Sequence, residues 1–232
     1  VCSSDLPAVS VVIPVLHEAP NINPLIDHLI RLPFSGALEI VVVDGDPSAD
    51  TLRAIRAPGV LKVRSGRGRG IQMNAGARTA SGAVLLFLHA DTRLPACGLA
   101  GIVRVMESAG AVGGAFRLSI DGRSLCYRVI ERTANLRSRL TRVPYGDQAI
   151  FLRRGYFLRI GGFAAIPIME DVELMRRIRR TGGRIVLLPD AVKTSARRWE
   201  RTGILRNTLR NWLLLVLFRM GVPAGRLSDF YR

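Results

Sequence analysis

His89 and Asp91 are the residues of this chain best suited to hold a metal ion. They follow residues 83–88, an apolar run typical of a strand buried on both faces of a parallel sheet. Open α/β sheets bind ligands beyond the carboxyl ends of such strands. Two residues separated by one neighbour point the same way along an extended chain. The pattern predicts a site for Mg²⁺ or Mn²⁺ and the phosphates it neutralises, and the imidazole favours Mn²⁺. A hydrogen-bonded cap of the strand end is the alternative.

Two further acids follow apolar strands. Asp44 closes the run 38–43, and Glu18 comes shortly after the run 9–15 that contains Pro14. Carboxyl ends of parallel strands share one edge of a sheet, so we expect both acids near Asp91. A carboxylate there can accept hydrogen bonds from a base or a ribose. The alternative for Asp44 is a turn or helix-capping residue.

The segment 65–70, Ser-Gly-Arg-Gly-Arg-Gly, is suited to phosphate. It offers backbone amides, the guanidinium groups of Arg67 and Arg69, and the start of a helix. The dinucleotide fingerprint requires Gly-x-Gly-x-x-Gly and an acid about 20 residues further on, as Asp91 is. The glycine spacing differs, paired arginines are not part of that fingerprint, and two βα units precede the loop. We interpret the segment as a phosphate loop, and a flexible basic loop is the alternative.

Two more segments carry chemistry in the second half of the chain. Glu170 and Asp171 begin a predicted helix, where acids are common, but the apolar residues 166–169 would hold them near a partly dry site. A carboxylate there can take a proton from an attacking hydroxyl. Arg197, Arg198 and Trp199 can bind a diphosphate and stack on a sugar or base. Their alternative is a surface turn with the indole packed inward.

Alternating strand and helix patterns must position these residues. Strands are predicted at 9–15, 38–43, 60–63, 83–88, 111–120, 149–153 and 186–188, and helices at 21–32, 50–57, 71–80, 98–109, 127–140, 170–180 and 203–221. Repeated βα units call for a parallel sheet with right-handed crossovers and loops gathered at one edge. We expect one domain over residues 9–232. Residues 1–6 resemble a translated sequencing adapter, so residues 1–8 are expected to be non-native or disordered.

Composition limits the class of protein. A hydrophobic content of 48% with 22% charged residues excludes a disordered chain. The net charge is +16, and all but Lys62 and Lys193 of the 34 basic residues are arginine, which predicts an anionic partner such as a nucleotide, a lipid head group or nucleic acid. A G+C-rich genome is the alternative explanation. Three cysteines at unrelated spacings favour neither disulfides nor zinc and suit the cytoplasm.

One apolar segment near the C terminus has two interpretations, one structural and one involving a membrane. Residues 212–218 fall well short of the ~20 that a spanning helix needs. Arg206, Arg210 and Arg219 surround them. The segment is therefore either a helix packed on the domain or an interfacial helix with a basic rim and a tryptophan anchor.

Taken in order, these pieces resemble the family 2 glycosyltransferases of the GT-A fold. More narrowly, they resemble the bacterial subgroup associated with radical SAM and selenoprotein-domain genes. The resemblance runs from about residue 9 to the C terminus, and its most specific blocks are residues 68–77, 88–92, 145–148 and 194–199. It implies a mixed, mainly parallel, Rossmann-like α/β sheet flanked by helices. It also implies a nucleotide-binding half at about 9–95, an acceptor half at about 96–203 and a C-terminal helix at about 203–221.

The resemblance also implies roles for individual residues. Asp171 matches the catalytic base, with Glu170 as its acidic neighbour. Asp91 matches the last aspartate of the Asp-x-Asp metal motif, and His89 stands where the first is usual. The implied donor residues are Pro14, Glu18, Asp44, Arg67, Arg69, Gln72, Asn74 and Asp91, and those on the acceptor or diphosphate side are Tyr145, Asp147, Gln148, Arg197, Arg198 and Trp199.

The expected reaction is an inverting single displacement at the anomeric carbon of a UDP-, GDP- or similar sugar, with Mn²⁺ or Mg²⁺ as cofactor. Thr194 or Ser195 stands where processive synthases carry a glutamine, so processive synthesis is not expected. The acceptor is unknown, and a lipid-linked or membrane-surface acceptor is a hypothesis drawn from residues 206–219. The expected location is the cytoplasm, which the cysteines suit, and this hypothesis adds contact with the inner membrane face through 204–219. A nucleotidyltransferase of similar fold and a basic nucleic-acid-binding protein are the rival interpretations; scarce aromatics disfavour the latter.

Overall fold

Strand β1 (Val9–Val15) and strand β2 (Leu38–Asp44) have the predicted apolar runs and pair in parallel. The computed structural model describes residues 9–108 and 110–230, without the side chains of Arg198, Arg201, Thr202 and Leu205. The predicted non-native segment 1–8 lies outside that range. The other strands are β3 (Leu61–Arg64), β4 (Val84–Phe87), β5 (Thr92–Arg93), β6 (Ala111–Asp121), β7 (Phe151–Arg153) and β8 (Arg184–Ser195).

Within the described residues these eight strands form one sheet in the order β3-β2-β1-β4-β7-β6-β8-β5. The pairs β1/β2, β2/β3, β1/β4 and β6/β8 are parallel, whereas β4/β7, β6/β7 and β5/β8 are antiparallel. The expected mixed, mainly parallel sheet is confirmed. The carboxyl ends of β1 to β4 therefore meet at one edge, as the site prediction requires.

Strands β1 and β4 are buried along almost their whole length because helices cover both faces of the sheet. The helices are α1 (Ala19–Ile30), α2 (Asp50–Ala54), α3 (Arg69–Thr79), α4 (Gly98–Glu107), α5 (Leu125–Thr141), α6 (Arg154–Arg159), α7 (Glu170–Arg180), α8 (Arg197–Thr202), α9 (Ile204–Arg219) and α10 (Ala224–Asp229). Along β1, Val11 and Ile13 pack with α1 and α4, whereas Val12 packs with α3 and α7. This alternation is the period of two that a strand requires.

The largest departure from the predicted elements is β8, which extends over 12 residues where the sequence predicts a strand only at 186–188. Pro189 and Asp190 lie in the register shift between the pairs Ala115/Leu187 and Arg117/Ala191. A bulge accommodates a residue without an amide donor, so the strand continues past it. The predicted helix 203–221 corresponds to α9, and the short helices α8 and α10 on either side of it were not predicted.

Candidate functional site

A cleft of about 790 Å³ opens at the carboxyl edge of the sheet. It lies between the loops after β1 and β4, the start of α3, the start of α7, and helices α8 and α9. Most of the predicted site residues line it, namely Pro14, Glu18, Arg67, Arg69, Gln72, His89, Asp91, Tyr145, Asp147, Glu170, Asp171, Arg197 and Trp199. The fold thus brings together residues that lie more than 150 positions apart in the chain.

The predicted donor residue Asp44 does not line the cleft. Its carboxylate is fully buried, and its Oδ1 accepts a hydrogen bond from the Asp46 amide at 2.9 Å. This is the turn geometry that the sequence offered as the alternative. Its Oδ2 has no hydrogen-bond partner among the described residues, which is unusual for a buried carboxylate oxygen.

Gln72 lines the cleft and also holds its floor together. Its amide nitrogen donates to the carbonyl oxygens of Val15 at 2.7 Å and Val43 at 2.9 Å. These carbonyls lie at the ends of β1 and β2. The side chain therefore fixes the separation of the two strand ends beneath the predicted donor site.

Two predicted site residues, Asn74 and Gln148, lie behind the cleft walls and not in them. The Asn74 amide donates to the carbonyl oxygen of Phe163 and its oxygen accepts from the Phe163 amide, both at 2.8 Å. Gln148 accepts from Ser138 at 2.6 Å and donates to the Phe116 carbonyl oxygen at 3.0 Å. Both amides hold backbone segments in place, and direct contact of either residue with the donor or the acceptor stays a prediction.

The arginine loop is anchored to the second half of the chain. Arg67 is exposed, whereas the guanidinium of Arg69 lies 3.7 Å from the buried carboxylate of Glu170. Gly68 has a φ of +138° just before α3, a conformation that favours glycine. A Cβ at Gly70 would lie 2.7 Å from the Ala164 carbonyl oxygen, so this close approach also requires glycine. The loop can therefore present its basic groups from a fixed position.

The two acids at the start of α7 have different environments. Asp171 lines the cleft, and its Oδ2 accepts from the Gly146 amide at 2.6 Å while its Oδ1 accepts from the Val172 amide at 2.7 Å. Glu170 is only 4% exposed. Burial, and next the charge of Asp171, raise the pKa of Glu170 to about 7 against the opposing effect of Arg69. Met169, just before the helix, has a φ of +65°, and such strain is common at functional sites.

His89 and Asp91 both line the cleft beyond the carboxyl end of β4, as predicted, but the chain between them is not extended. The Thr92 amide donates to the His89 carbonyl oxygen at 3.1 Å, so the segment is a turn and the alternation of an extended strand does not apply. A Cβ at Gly146 would lie 3.4 Å from His89 Nε2 and 3.3 Å from Asp171 Oδ2. The imidazole is therefore near the candidate base, while Asp91 faces the same cleft.

The donor set of one carboxylate and one imidazole fits a borderline cation such as Mn²⁺ when phosphate oxygens supply the remaining ligands. A second group of ligand-type side chains lies outside the cleft lining. His17 Nδ1 is 3.3 Å from Asp50 Oδ2 and 3.8 Å from Asp46 Oδ2. Over residues 9–108 and 110–230, it is the one group of three such side chains with ligand atoms within 4.8 Å of one another.

Arg137 of α5 contacts a residue that lines the cleft, although it does not line the cleft itself and the sequence did not single it out. Its guanidinium lies 3.2 Å from the centroid of the Tyr145 ring. Burial lowers the pKa of Arg137 to about 10, against the raising effect of Asp147 and Asp171, so it stays charged at neutral pH. In the sequence it is one of several arginines on α5, and no pattern distinguishes it from the exposed ones.

Helix α9 supplies a wall of the cleft that the sequence also missed. Asn207, Asn211 and Leu215 line it, and Asn207 is buried and accepts from Arg210 at 3.0 Å. Polar residues spaced by four in an otherwise apolar and basic helix share one face. That spacing is the signal from which the wall could have been predicted.

The end of the cleft near α8 is closed by an ion pair. Arg197 Nη2 donates to Glu18 Oε1 at 2.8 Å, linking the start of α8 to the loop after β1. Trp199 lines the cleft and also packs edge-on against Tyr127, with 6.2 Å between ring centroids. The indole is therefore part of the cleft lining, as the functional interpretation expects, and is also packed against the domain, as the structural alternative expects. The side chain of Arg198 lies outside the described part of the chain.

The chain resembles known proteins in sequence and in structure. The probable glycosyltransferase YdaM of Bacillus subtilis (strain 168) is 24% identical over 222 residues, which cover 85% of this chain and 51% of that protein. The chain thus spans about half the length of this curated relative. Among the described residues, no helix has the length and apolar character needed to cross a bilayer.

Two solved structures give the fold. The mannosyltransferase PcManGT from Pyrobaculum calidifontis, in complex with GDP-Man and Mn²⁺, aligns with a TM-score of 0.64 and 22% identity, covering 81% of this chain and 56% of that one. Glucosyl-3-phosphoglycerate synthase from Mycobacterium tuberculosis, in complex with Mn²⁺, UDP and glucosyl-3-phosphoglycerate, aligns with a TM-score of 0.65 and 20% identity, covering 94% and 81%. The chain has the GT-A fold of these glycosyltransferases.

The sequence itself places the chain among related enzymes. Residues 10–168, well over half of it, match the family model described as glycosyl transferase family 2. That range contains the strand ends, the arginine loop and the His89 turn, and it ends just before Glu170 and Asp171. With the fold and the cleft in agreement, the chain belongs to glycosyl transferase family 2.

Proposed function

We propose that this protein transfers a sugar from a nucleoside-diphosphate sugar to an acceptor hydroxyl by a single displacement that inverts the anomeric carbon. The observation that carries the proposal is the position of Asp171. Two backbone amides hold its carboxylate in the cleft, and the arginines of the 65–70 loop line the same cleft. A base and a phosphate-binding loop at one cleft are what such a transfer requires.

In this mechanism Asp171 takes the proton of the acceptor hydroxyl as its oxygen forms a bond to the anomeric carbon. The bond from that carbon to the donor phosphate oxygen breaks, and its electron pair leaves with the nucleoside diphosphate. Arg67 and Arg69 face the charge that develops there. The Gly146 and Val172 amides fix the orientation of the carboxylate, so little reorganisation is needed during the reaction.

A divalent cation would be held by Asp91 and His89 together with oxygens of the donor diphosphate. When bound, it supplies positive charge that stabilises the leaving group. Mn²⁺ is present in the structures of the mannosyltransferase and the synthase, with GDP-Man and UDP respectively. A UDP- or GDP-sugar with Mn²⁺ is accordingly the donor and cation pair to test first, with Mg²⁺ next.

Two narrower assignments belong to the same proposal. Membership of the subgroup associated with radical SAM and selenoprotein-domain genes is supported by the four sequence blocks, each of which contributes residues to the cleft. We also assign residues 9–232 to one GT-A domain, because the β4/β7 pair joins the two predicted halves in a single sheet.

The test compares Asp171→Asn with Asp27→Asn, the same change at an exposed position of α1. Purified proteins are incubated with a panel of UDP- and GDP-sugars and Mn²⁺, and nucleoside diphosphate release is measured with water as the acceptor. We expect Asp171→Asn to lower release by about 10²–10⁴-fold, while the donor still raises the melting temperature as in the wild type. Asp27→Asn should behave as the wild type.

Two outcomes would count against the proposal. Undiminished release by Asp171→Asn would remove Asp171 from the mechanism. Release of pyrophosphate from a nucleoside triphosphate, with no nucleoside diphosphate from any sugar donor, would favour a nucleotidyltransferase instead.

A further inference from the structure

The outer face of α9 is an exposed apolar stripe. Its members, each between 45% and 76% exposed, are Leu209, Trp212, Leu213 and Val216 of α9, together with Met220, the residue that follows the helix. Counted from Leu209, the others lie three, four, seven and eleven positions further along the chain, which puts them on one side of a helix. Isolated exposed apolar side chains are ordinary, but a continuous stripe marks a surface that binds something.

Helix α5 carries a second stripe of the same kind. Its members are between 56% and 81% exposed and are Leu125, Val129, Leu136 and Leu140. Counted from Leu125, the others lie four, eleven and fifteen positions further along the chain. The two helices are neighbours, because Tyr127, Ile130 and Ala134 of α5 pack in one cluster with Trp199 and with Ile204, the first residue of α9. At the other end, the charge of Arg219 of α9 contributes to the lowered pKa of Arg137 of α5.

The charges beside these stripes have one sign. Exposed arginines accompany both of them, Arg206 and Arg219 on α9 and Arg132 and Arg139 on α5. Helix α9 contains no acidic residue, and the one acid of α5, Glu131, is buried beside Arg128 at 2.8 Å. Such a surface is complementary to negative charge, and two copies of it facing each other would repel.

We propose that the outer faces of α9 and α5 dock on an anionic lipid bilayer. Leucines and the indole of Trp212 enter the boundary between head groups and acyl chains, while the arginines pair with lipid phosphates at its surface. The inner face of α9 lines the cleft through Asn207, Asn211 and Leu215. Docking would thus hold the cleft at the bilayer surface. The corollary that the acceptor hydroxyl is presented there, on a lipid-linked molecule, rests on the proposed function.

The test is flotation of the full chain with vesicles of phosphatidylglycerol and phosphatidylethanolamine, and with vesicles of phosphatidylcholine alone. We expect at least tenfold stronger binding to the anionic vesicles, weakened by salt. Trp212→Ser with Leu213→Ser should lower anionic binding about tenfold or more. The matched control, Ile30→Ser with Leu158→Ser, changes exposed apolar residues of α1 and α6 and should bind as the wild type.

Several results would overturn the docking proposal. One is equal binding to neutral and anionic vesicles, and another is binding that the α9 variant leaves unchanged. A third is failure to bind vesicles together with concentration-dependent self-association that the α9 variant abolishes. Because Trp212 and Leu213 do not line the cleft, the α9 variant should release nucleoside diphosphate at the wild-type rate. A docking failure is therefore distinguishable from a failure of the proposed reaction, which the Asp171 variant tests.

Discussion

The buried carboxyl of Glu170 should make this protein less stable as the pH rises, and Glu170→Gln should remove that effect. Its pKa is raised from 4.5 to about 7, chiefly by burial. In the unfolded chain the group ionises near 4.5, so below that pH both states hold the proton. Between 4.5 and 7 the folded state keeps a proton that the unfolded state has released. The stabilisation is therefore complete below pH 4.5 and is lost as the pH rises through 7.

The expected magnitude follows from the size of the pKa change. Each pKa unit corresponds to about 1.4 kcal/mol, so a carboxyl titrating near 7 in the folded state loses roughly 2–3 kcal/mol of stabilisation between pH 5 and pH 8. Glutamine has nearly the same shape and does not titrate. The variant should accordingly lose less stability than the wild type over this interval, by roughly the same amount.

Urea unfolding at pH 5 and pH 8, followed by circular dichroism, measures the difference directly. Glu107→Gln, the same change at an exposed position near the end of α4, is the matched control and should follow the wild type at both pH values. Comparing the change with pH, and not the stability at one pH, isolates Glu170 from the lost contact with Arg69. If the wild type and Glu170→Gln lose the same stability between the two pH values, the reasoning about this buried group is wrong.

Two further predictions concern residues whose contacts the structure reveals. Gly70→Ala places a Cβ 2.7 Å from the Ala164 carbonyl oxygen and should lower the free energy of unfolding by about 1–3 kcal/mol. Gly225→Ala, with nothing within 4 Å of the added carbon, should not destabilise the protein, and equal losses in urea unfolding would contradict this account. Arg137→Met removes the cation stacked on Tyr145 and leaves two neighbouring acids without it. It should slow nucleoside diphosphate release about tenfold or more, with Arg137→Lys intermediate; a wild-type rate for Arg137→Met would exclude Arg137 from the site.

The elements best predicted from the sequence are those whose boundaries are marked by chemistry. Helix α7 begins and ends at the predicted residues, because acids stand in its first turn and arginines in its last, as the helix dipole favours. Strand β1 also has its predicted bounds. Strand β8 extends beyond its predicted bounds of 186–188 because a bulge at Pro189 lets the pairing with β6 continue, and only that pairing reveals the bulge.

Some of the site residues could likewise be placed from local geometry, and others could not. Gln72 and Asn74 are both predicted to contact the donor. Residues that lie two positions apart on a helix, as these do, are about 200° apart around its axis. They therefore face opposite ways, Gln72 toward the strand ends and Asn74 toward Phe163, a distinction that helical geometry alone could have drawn. The role of Arg137 could not have been predicted in this way, because it depends on the approach of Tyr145 and Asp147 from another loop.

The candidate base and the phosphate loop are held as one unit, although about 100 residues separate them in the sequence. Three contacts join α3 to α7 and the loop before it: Arg69 lies 3.7 Å from Glu170, Asn74 is paired with the Phe163 backbone, and Gly70 packs against the Ala164 carbonyl. Because Glu170 precedes Asp171 directly, a movement of the arginine loop would also displace the base. The distance between the leaving-group end and the proton-accepting end of the cleft is thus set by these contacts, of which those of Gly70 and Asn74 lie outside the cleft lining. Contacts of this kind hold reacting groups in a fixed geometry.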